Sequence, residues 1–126
     1  MKISDRIHDE LLDKMYKSIQ MAMNNKGLTD AGKKDIFYKA LKSARAMLYY
    51  LDLRDGKSWL KVDDIPSLDD TIRKYDLHID KKDLTWFEFE AYDNERALRI
   101  LNEFNSVIKD KLDLWKLKMK NLDSEI

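Results

Sequence analysis

The amino-acid sequence predicts an all-α protein, folded as a single-domain helical bundle, and three observations lead there. Only three glycines and one proline occur in 126 residues, and these two residue types interrupt helices most strongly. Apolar side chains recur every three or four positions over long stretches, which is the helical period. The chain is 44% hydrophobic and 38% charged, a balance typical of globular proteins. We therefore predict that residues 1–126 form one domain of three long helices and one short helix.

The first helix is expected from about Asp5 to Asn25. The side-chain oxygen of Ser4 or Asp5 can accept a hydrogen bond from a free N–H of the first turn, so either residue can cap it. Its apolar stripe consists of Ile7, Leu11, Met15, Ile19 and Ala22, widened by Leu12 and Met23. Gly27 is expected to end this helix in the left-handed conformation that glycine adopts readily.

A second helix is expected from Thr29 or Asp30 to about Leu53. Its apolar stripe approaches the seven-residue spacing of packed helices and consists of Phe37, Ala40, Leu41, Ala44, Met47, Leu48 and Leu51. A third, short helix is expected to begin after Pro66. There Ser67 and Asp70 have the spacing of a capping box.

The segment from Leu84 to Tyr92 supports two interpretations. Its Phe-Glu-Phe-Glu alternation is typical of a strand, and in that interpretation it pairs with the segment after Lys57 in a small β-hairpin near 58-62/84-90. Thr85 and Glu88, however, have the spacing that begins a helix, and neither Gly nor Pro follows. We favour one long helix from about Thr85 to Lys120, with any bend near residues 93 and 94. Its stripe from Ala97 onward is Ala97, Leu101, Phe104, Ile108, Leu112, Trp115 and Met119.

Composition narrows the range of functions. The chain has no cysteine, which excludes thiol catalysis, disulfides and cysteine-ligated zinc. Its 24 basic and 24 acidic side chains give zero formal net charge, so nucleic-acid binding is not expected from charge. No apolar run approaches the roughly 18 residues of a membrane span, and the N-terminus does not resemble a signal peptide. We expect a cytoplasmic protein that binds no membrane, metal or cofactor.

One short motif suggests catalysis. The segment Arg73–His78 reads Arg-Lys-Tyr-Asp-Leu-His, and an Arg followed by four residues and a His resembles the signature of HEPN-domain ribonucleases. That resemblance implies an all-α, metal-independent ribonuclease in which His78 and Arg73 act together, usually across a dimer. The chemistry is consistent, because a His moves protons near neutral pH and an Arg stabilises charge on a phosphate. Lys74 stands where the family commonly has a small polar or acidic residue.

Two carboxylate pairs suggest a second chemistry. Glu10 and Asp13 are three residues apart, as are Glu90 and Asp93, and this spacing places each pair on one helical face. Such pairs on neighbouring helices resemble the magnesium sites of MazG-type nucleotide pyrophosphohydrolases. The resemblance implies a hard cation held by oxygen ligands over phosphates. A magnesium-dependent nucleotide hydrolase is therefore the third hypothesis.

Apolar residues on more than one helical face predict a protein-binding surface. Two clusters show this pattern. The aromatic cluster consists of Trp86, Phe87 and Phe89, and the C-terminal cluster consists of Leu114, Trp115 and Leu117. Neither cluster fits on a single face, so part of each is expected to meet a partner or a second copy of the chain. With no convincing catalytic set, we predict a small non-enzymatic protein–protein interaction module, an adaptor or inhibitor, with a homodimer as one form. Small cysteine-free domains of this kind are common among phage and mobile-element accessory proteins that block a host or defence protein. The alternative is the ribonuclease with Arg73 and His78.

Overall fold

A computed structural model describes residues 3–56 and 65–124, with side chains described for residues 10–52, 65–114 and 117. The all-α prediction is confirmed, and neither described stretch contains a strand. The described residues form five helices: α1 (Ile3–Met23), α2 (Asp30–Gly56), α3 (Leu68–Lys74), α4 (Lys81–Phe89) and α5 (Asn94–Ser124).

Three long helices enclose the core. Helix α1 packs along α2, α5 lies against both, and the short α3 contacts α2. Every residue of the apolar stripe expected on α2 is buried, and so are Ala97, Leu101, Phe104 and Ile108 of α5. On α1 the buried residues are Leu12, Ile19 and Ala22, whereas Leu11 is partly exposed. The helical period therefore identified most of the core, because burial on a helix follows its period.

Two local signals are confirmed. Gly27 has φ of 83°, the left-handed conformation expected at the end of the first helix. Ser67 is the N-cap of α3, and its hydroxyl accepts the N–H of Asp70 at 3.1 Å. The Asp70 carboxylate does not complete a capping box but accepts a hydrogen bond from Arg73. The prediction that Ser4 or Asp5 caps the first helix is wrong, because α1 already begins at Ile3 and both residues lie within it.

The prediction of one helix from Thr85 to Lys120 is wrong. Helix α4 begins earlier, because Asp80 and Asp83 form a capping box: the Asp80 carboxylate accepts the Asp83 N–H at 2.9 Å, and the Asp83 carboxylate accepts the Asp80 N–H at 3.1 Å. Glu90 is extended, with φ of −119° and ψ of 160°. The next helix starts at Asn94, where the Asp93 carboxylate accepts the N–H of Arg96. Residues 90–93 therefore separate two helices.

The hairpin alternative near 58-62/84-90 is also wrong on its second half, because residues 84–89 lie within α4. Its first half, residues 58–62, lies outside the described residues. Strand-like alternation in Phe87–Glu90 did not determine the backbone, because helix caps and packing against α2 outweigh such a short pattern.

Candidate functional site

Phe89 is the most exposed large apolar residue of the described chain, with 85% of its surface accessible. It is the last residue of α4. Trp86 and Phe87, which precede it in the predicted aromatic cluster, are only 4% and 8% exposed. At about 100° per residue, positions 87 and 89 lie on nearly opposite sides of a helix. The predicted cluster is therefore divided between the core and the surface.

Buried aromatic rings attach α4 to α2. The Phe37 ring of α2 lies 5.3 Å from the Phe87 ring and 5.8 Å from the Trp86 ring, centre to centre. Tyr92, after the end of α4, lies 5.7 Å from Trp86. These separations are typical of favourable aromatic pairs. The indole N–H of Trp86 is buried and has no hydrogen-bond acceptor among the described residues, so within that part of the chain Trp86 stabilises by packing.

Asp83 attaches α4 to α5. It is buried, and its Oδ1 lies 2.6 Å from Nη2 of Arg99 and 3.3 Å from Nε of Arg96. Burial by itself would raise the pKa of Asp83. The Asp80 N–H and the Arg99 and Arg96 guanidiniums outweigh that effect and hold the pKa below its ordinary value. Asp83 therefore stays ionised, caps α4 and fixes its position on α5.

A second polar cluster fixes residues 90–93. The buried amide of Asn25 donates hydrogen bonds to the Tyr92 hydroxyl at 3.2 Å and to Oδ1 of Asn94 at 3.3 Å. The Tyr92 N–H donates to Oδ1 of Asp30 at 2.8 Å, and this bond, with help from Lys34, lowers the pKa of Asp30. Burial raises the pKa of the Tyr92 phenol, so the hydroxyl remains protonated. The break after Phe89 is thus tied to the connection between α1 and α2.

The side of α4 that faces away from the core carries five exposed residues, which we call the α4 face: Lys81, Lys82, Thr85, Glu88 and Phe89. Its charges run against the helix dipole, with two lysines in the first turn and a glutamate in the last. The last turn has no basic residue. Each misplaced charge disfavours a helix by ~0.3–1 kcal/mol at exposed positions. The Asp80–Asp83 capping box offsets this effect.

The C-terminal cluster is also exposed. Leu114 and Leu117 of α5 have 60% and 56% of their surfaces accessible. Residues three apart are neighbours on one side of a helix, so these two leucines form a short apolar strip. The side chain of Trp115, the third member of the predicted cluster, lies outside the described residues.

Arg73 and His78, predicted as a ribonuclease pair, have separate partners. Nη2 of Arg73 lies 3.4 Å from the carboxylate of Asp70 on its own helix. Nδ1 of His78 lies 3.1 Å from the Glu103 carboxylate of α5. Both side chains are exposed, and their carboxylate partners lie on two different helices, Asp70 on α3 and Glu103 on α5.

Three of the four residues in the two predicted carboxylate pairs have structural partners, and the fourth, Glu10, is exposed. Asp13 forms an ion pair with Lys17 at 3.1 Å. Glu90 lies 3.5 Å from Arg96, and Asp93 caps α5. Within the described part of the chain, no three His, Asp or Glu residues come together in a group that would suit a metal ion.

A further polar cluster that the sequence did not indicate joins α2, α3 and α5. The Tyr75 hydroxyl donates to Asp52, and the ammonium groups of Lys74 and Lys111 lie 3.0 and 2.6 Å from the same carboxylate. Asp52 and Lys111 are 59 positions apart in the sequence. No local pattern signals such a pairing. Its location between helices indicates a structural role in holding α3.

No protein-family model, no curated protein and no solved structure matches this chain. Among the described helices, none combines the length and the apolar character required to cross a bilayer. Function therefore has to be argued from the chemistry of the surface.

Proposed function

We propose that this chain is a small, non-enzymatic, cytoplasmic protein-binding module, an adaptor or inhibitor, whose contact surface is the α4 face. The observation that carries the proposal is the 85% exposure of Phe89. Removing apolar surface from water lowers the free energy by roughly 25 cal/mol per Å². An exposed aromatic side chain can therefore contribute this stabilisation when a partner covers it. Aromatic residues are enriched among the few residues that dominate interface energies. Such a module suits an accessory protein that blocks a larger protein, as those of phages and mobile elements do.

The rigid support beneath Phe89 favours binding. On one side, the Asp83 carboxylate is 2.6 Å from Arg99. On the other, the Tyr92 backbone is bonded to Asp30 and its hydroxyl to Asn25. A side chain presented in a fixed position loses less freedom on binding, so more of its burial contributes to affinity.

The lowered pKa values of Asp30 and Asp83 have structural causes and do not indicate catalysis. Strongly perturbed pKa values often mark catalytic groups, but ion-pair networks shift them as well. The lowered pKa values of Asp30 and Asp83 arise from hydrogen bonds that fix helix ends and loops. Both carboxylates therefore have structural partners that account for their shifts.

Capture of interacting proteins from a cell lysate tests the proposal. The tagged chain is compared with Phe89→Ser and with a matched control, Met21→Ser, which removes another large exposed apolar side chain, 59% accessible, from α1. Wild type and Met21→Ser are expected to retain the same protein, and Phe89→Ser to lose at least ~10-fold of it, the effect of removing one dominant interface residue. Circular dichroism confirms that all three fold. Equal capture by the three forms contradicts the proposal.

A further inference from the structure

We infer that the α4 face binds the same face of a second copy of this chain, with the two α4 helices antiparallel around a twofold axis near Thr85. The inference rests on the proposed function, since it names the partner of the same surface. A twofold contact uses one patch twice, so the patch must be complementary to itself. The arrangement of charge along α4 meets this requirement.

Charge complementarity argues for the antiparallel orientation. Lys81 and Lys82 lie at the start of α4 and Glu88 at its end, all exposed. This order opposes the dipole of the isolated helix. Beside an antiparallel copy, however, the basic end of each helix lies next to the acidic end of the other. A parallel arrangement would instead place lysines beside lysines and glutamates beside glutamates, which is unfavourable.

The register along the helix is also consistent. Lys81 and Glu88 are seven residues apart, about two turns, and so lie on the same side of α4. In an antiparallel pair related by a twofold axis, the same side of each helix meets, so Lys81 of each copy approaches Glu88 of the other. Both side chains are exposed, and neither forms an ion pair with another residue whose side chain the structure describes. The contact thus contains this ion pair twice.

Phe89 also contacts the second copy in this antiparallel arrangement. It lies one turn beyond Thr85 on the outward side of α4 and meets the second copy near Lys82. The aliphatic stem of a lysine can cover an aromatic ring while the ammonium group lies over its face. Lys42 already does this within the chain, 4.5 Å above the Tyr38 ring. Dimerisation would therefore remove Phe89 from water.

The contact is small. A nine-residue helix is only about 13 Å long, so the buried area falls below the ~1,200 Å² of standard interfaces. We expect weak association that decreases with added salt, because its ion pairs are exposed at the rim. With zero formal net charge, no overall repulsion opposes it.

Sedimentation velocity of the purified full chain, up to about 1 mM, tests the inference. Wild type is expected to shift from monomer to dimer with concentration, and Phe89→Ser to weaken this at least ~10-fold. Lys81→Glu alone and Glu88→Lys alone each place like charges in contact and should stay monomeric. Mixing these two variants should restore a dimer, because each then supplies the charge the other needs. Lys109→Glu, at an exposed position of α5, is the control and should dimerise like wild type.

The outcomes separate this inference from the proposed function. A monomer at every concentration, or no recovery on mixing the two charge variants, overturns the antiparallel dimer. If Phe89-dependent capture of a different protein persists in that case, the proposed function stands. A dimer that Phe89→Ser leaves unchanged overturns the inference for this face.

Discussion

The α4 face and the strip formed by Leu114 and Leu117, the leucine strip, both expose large apolar side chains, and they differ in what holds them in place. Phe89 projects from a short helix whose start is bonded to α5 through Asp83 and whose end is bonded to the α1–α2 connection through Tyr92. Leu114 and Leu117 lie on α5 beyond Ile108, the last fully buried residue described on that helix. The α4 face is held from both ends by tertiary contacts, whereas the ion pair described nearest to the leucine strip, Lys111 with Asp52, lies on one side of it. Exposure alone therefore does not identify the better binding surface, and fixed presentation does.

The largest difference in the free energy of unfolding is expected between substitutions of Trp86 and of Phe89. Trp86→Ala should lower the free energy of unfolding by ~3–5 kcal/mol, because it removes a buried ring and leaves a cavity. Phe89→Ala should change it by at most ~0.5 kcal/mol, as exposed substitutions usually do. Urea denaturation followed by circular dichroism measures both. Trp86→Phe should cost less than Trp86→Ala, since it keeps ring packing and removes a buried N–H that has no acceptor among the described residues. Similar losses for the 86 and 89 alanine variants would contradict the assigned orientation of α4.

The next largest loss of stability is expected from removing the Asp83 carboxylate, because this detaches α4 from α5. Asp83→Ala removes the capping box and leaves Arg96 and Arg99 without their shared partner. Because both arginines retain access to water, we expect about 2–3 kcal/mol rather than the full cost of a deeply buried pair. The matched control is Asp13→Ala, which breaks an exposed pair with Lys17 and should cost less than ~1 kcal/mol. Equal losses for the two variants in urea denaturation would show that Asp83 does not anchor the helix.

Low pH should also weaken the attachment of α4 to α5, but by less than Asp83→Ala does. Asp83 and Asp30 both have a pKa below the ordinary 3.8. Their contribution to stability is therefore fully present above about pH 4 and is lost as the pH falls through the lowered folded-state pKa values. The Asp83→Ala variant should show a smaller decrease in melting temperature between neutral pH and pH 3 than wild type. An identical decrease in both proteins would argue against a lowered pKa at Asp83.

The smallest effect is expected on the leucine strip. Leu114→Ser and Leu117→Ser should each change the free energy of unfolding by no more than ~0.5 kcal/mol, because both side chains are largely exposed. Neither change should alter self-association measured by sedimentation, since the α4 face is distant in sequence and on a different helix. A loss of association comparable to that of Phe89→Ser would transfer the binding surface from α4 to the end of α5.

Part of the candidate site was predictable. The aromatic cluster around residue 87 was identified as a binding candidate, and Phe89 belongs to it. The sequence did not indicate which ring would remain outside, because that depends on the side of α4 that Phe37 of α2 covers. Asp83 belongs to none of the sites predicted from the sequence, although Asp80 followed by Asp83 has the spacing of a capping box. That spacing is the signal that could have located the true start of α4.

By itself, the sequence determined the elements whose causes are local. The scarcity of glycine and proline, the helical period of the α2 stripe, the cap at Ser67 and the left-handed Gly27 all depend on residues within a turn or two. Apart from the local Asp93 cap at the start of α5, the tertiary structure decided the break after Phe89. Its hydrogen bonds come from Asp30 and Asn25, which lie 62 and 67 positions from Tyr92 in sequence. Contacts over such separations exist only once α1, α2 and α5 have packed, and so they leave no pattern in the neighbouring sequence.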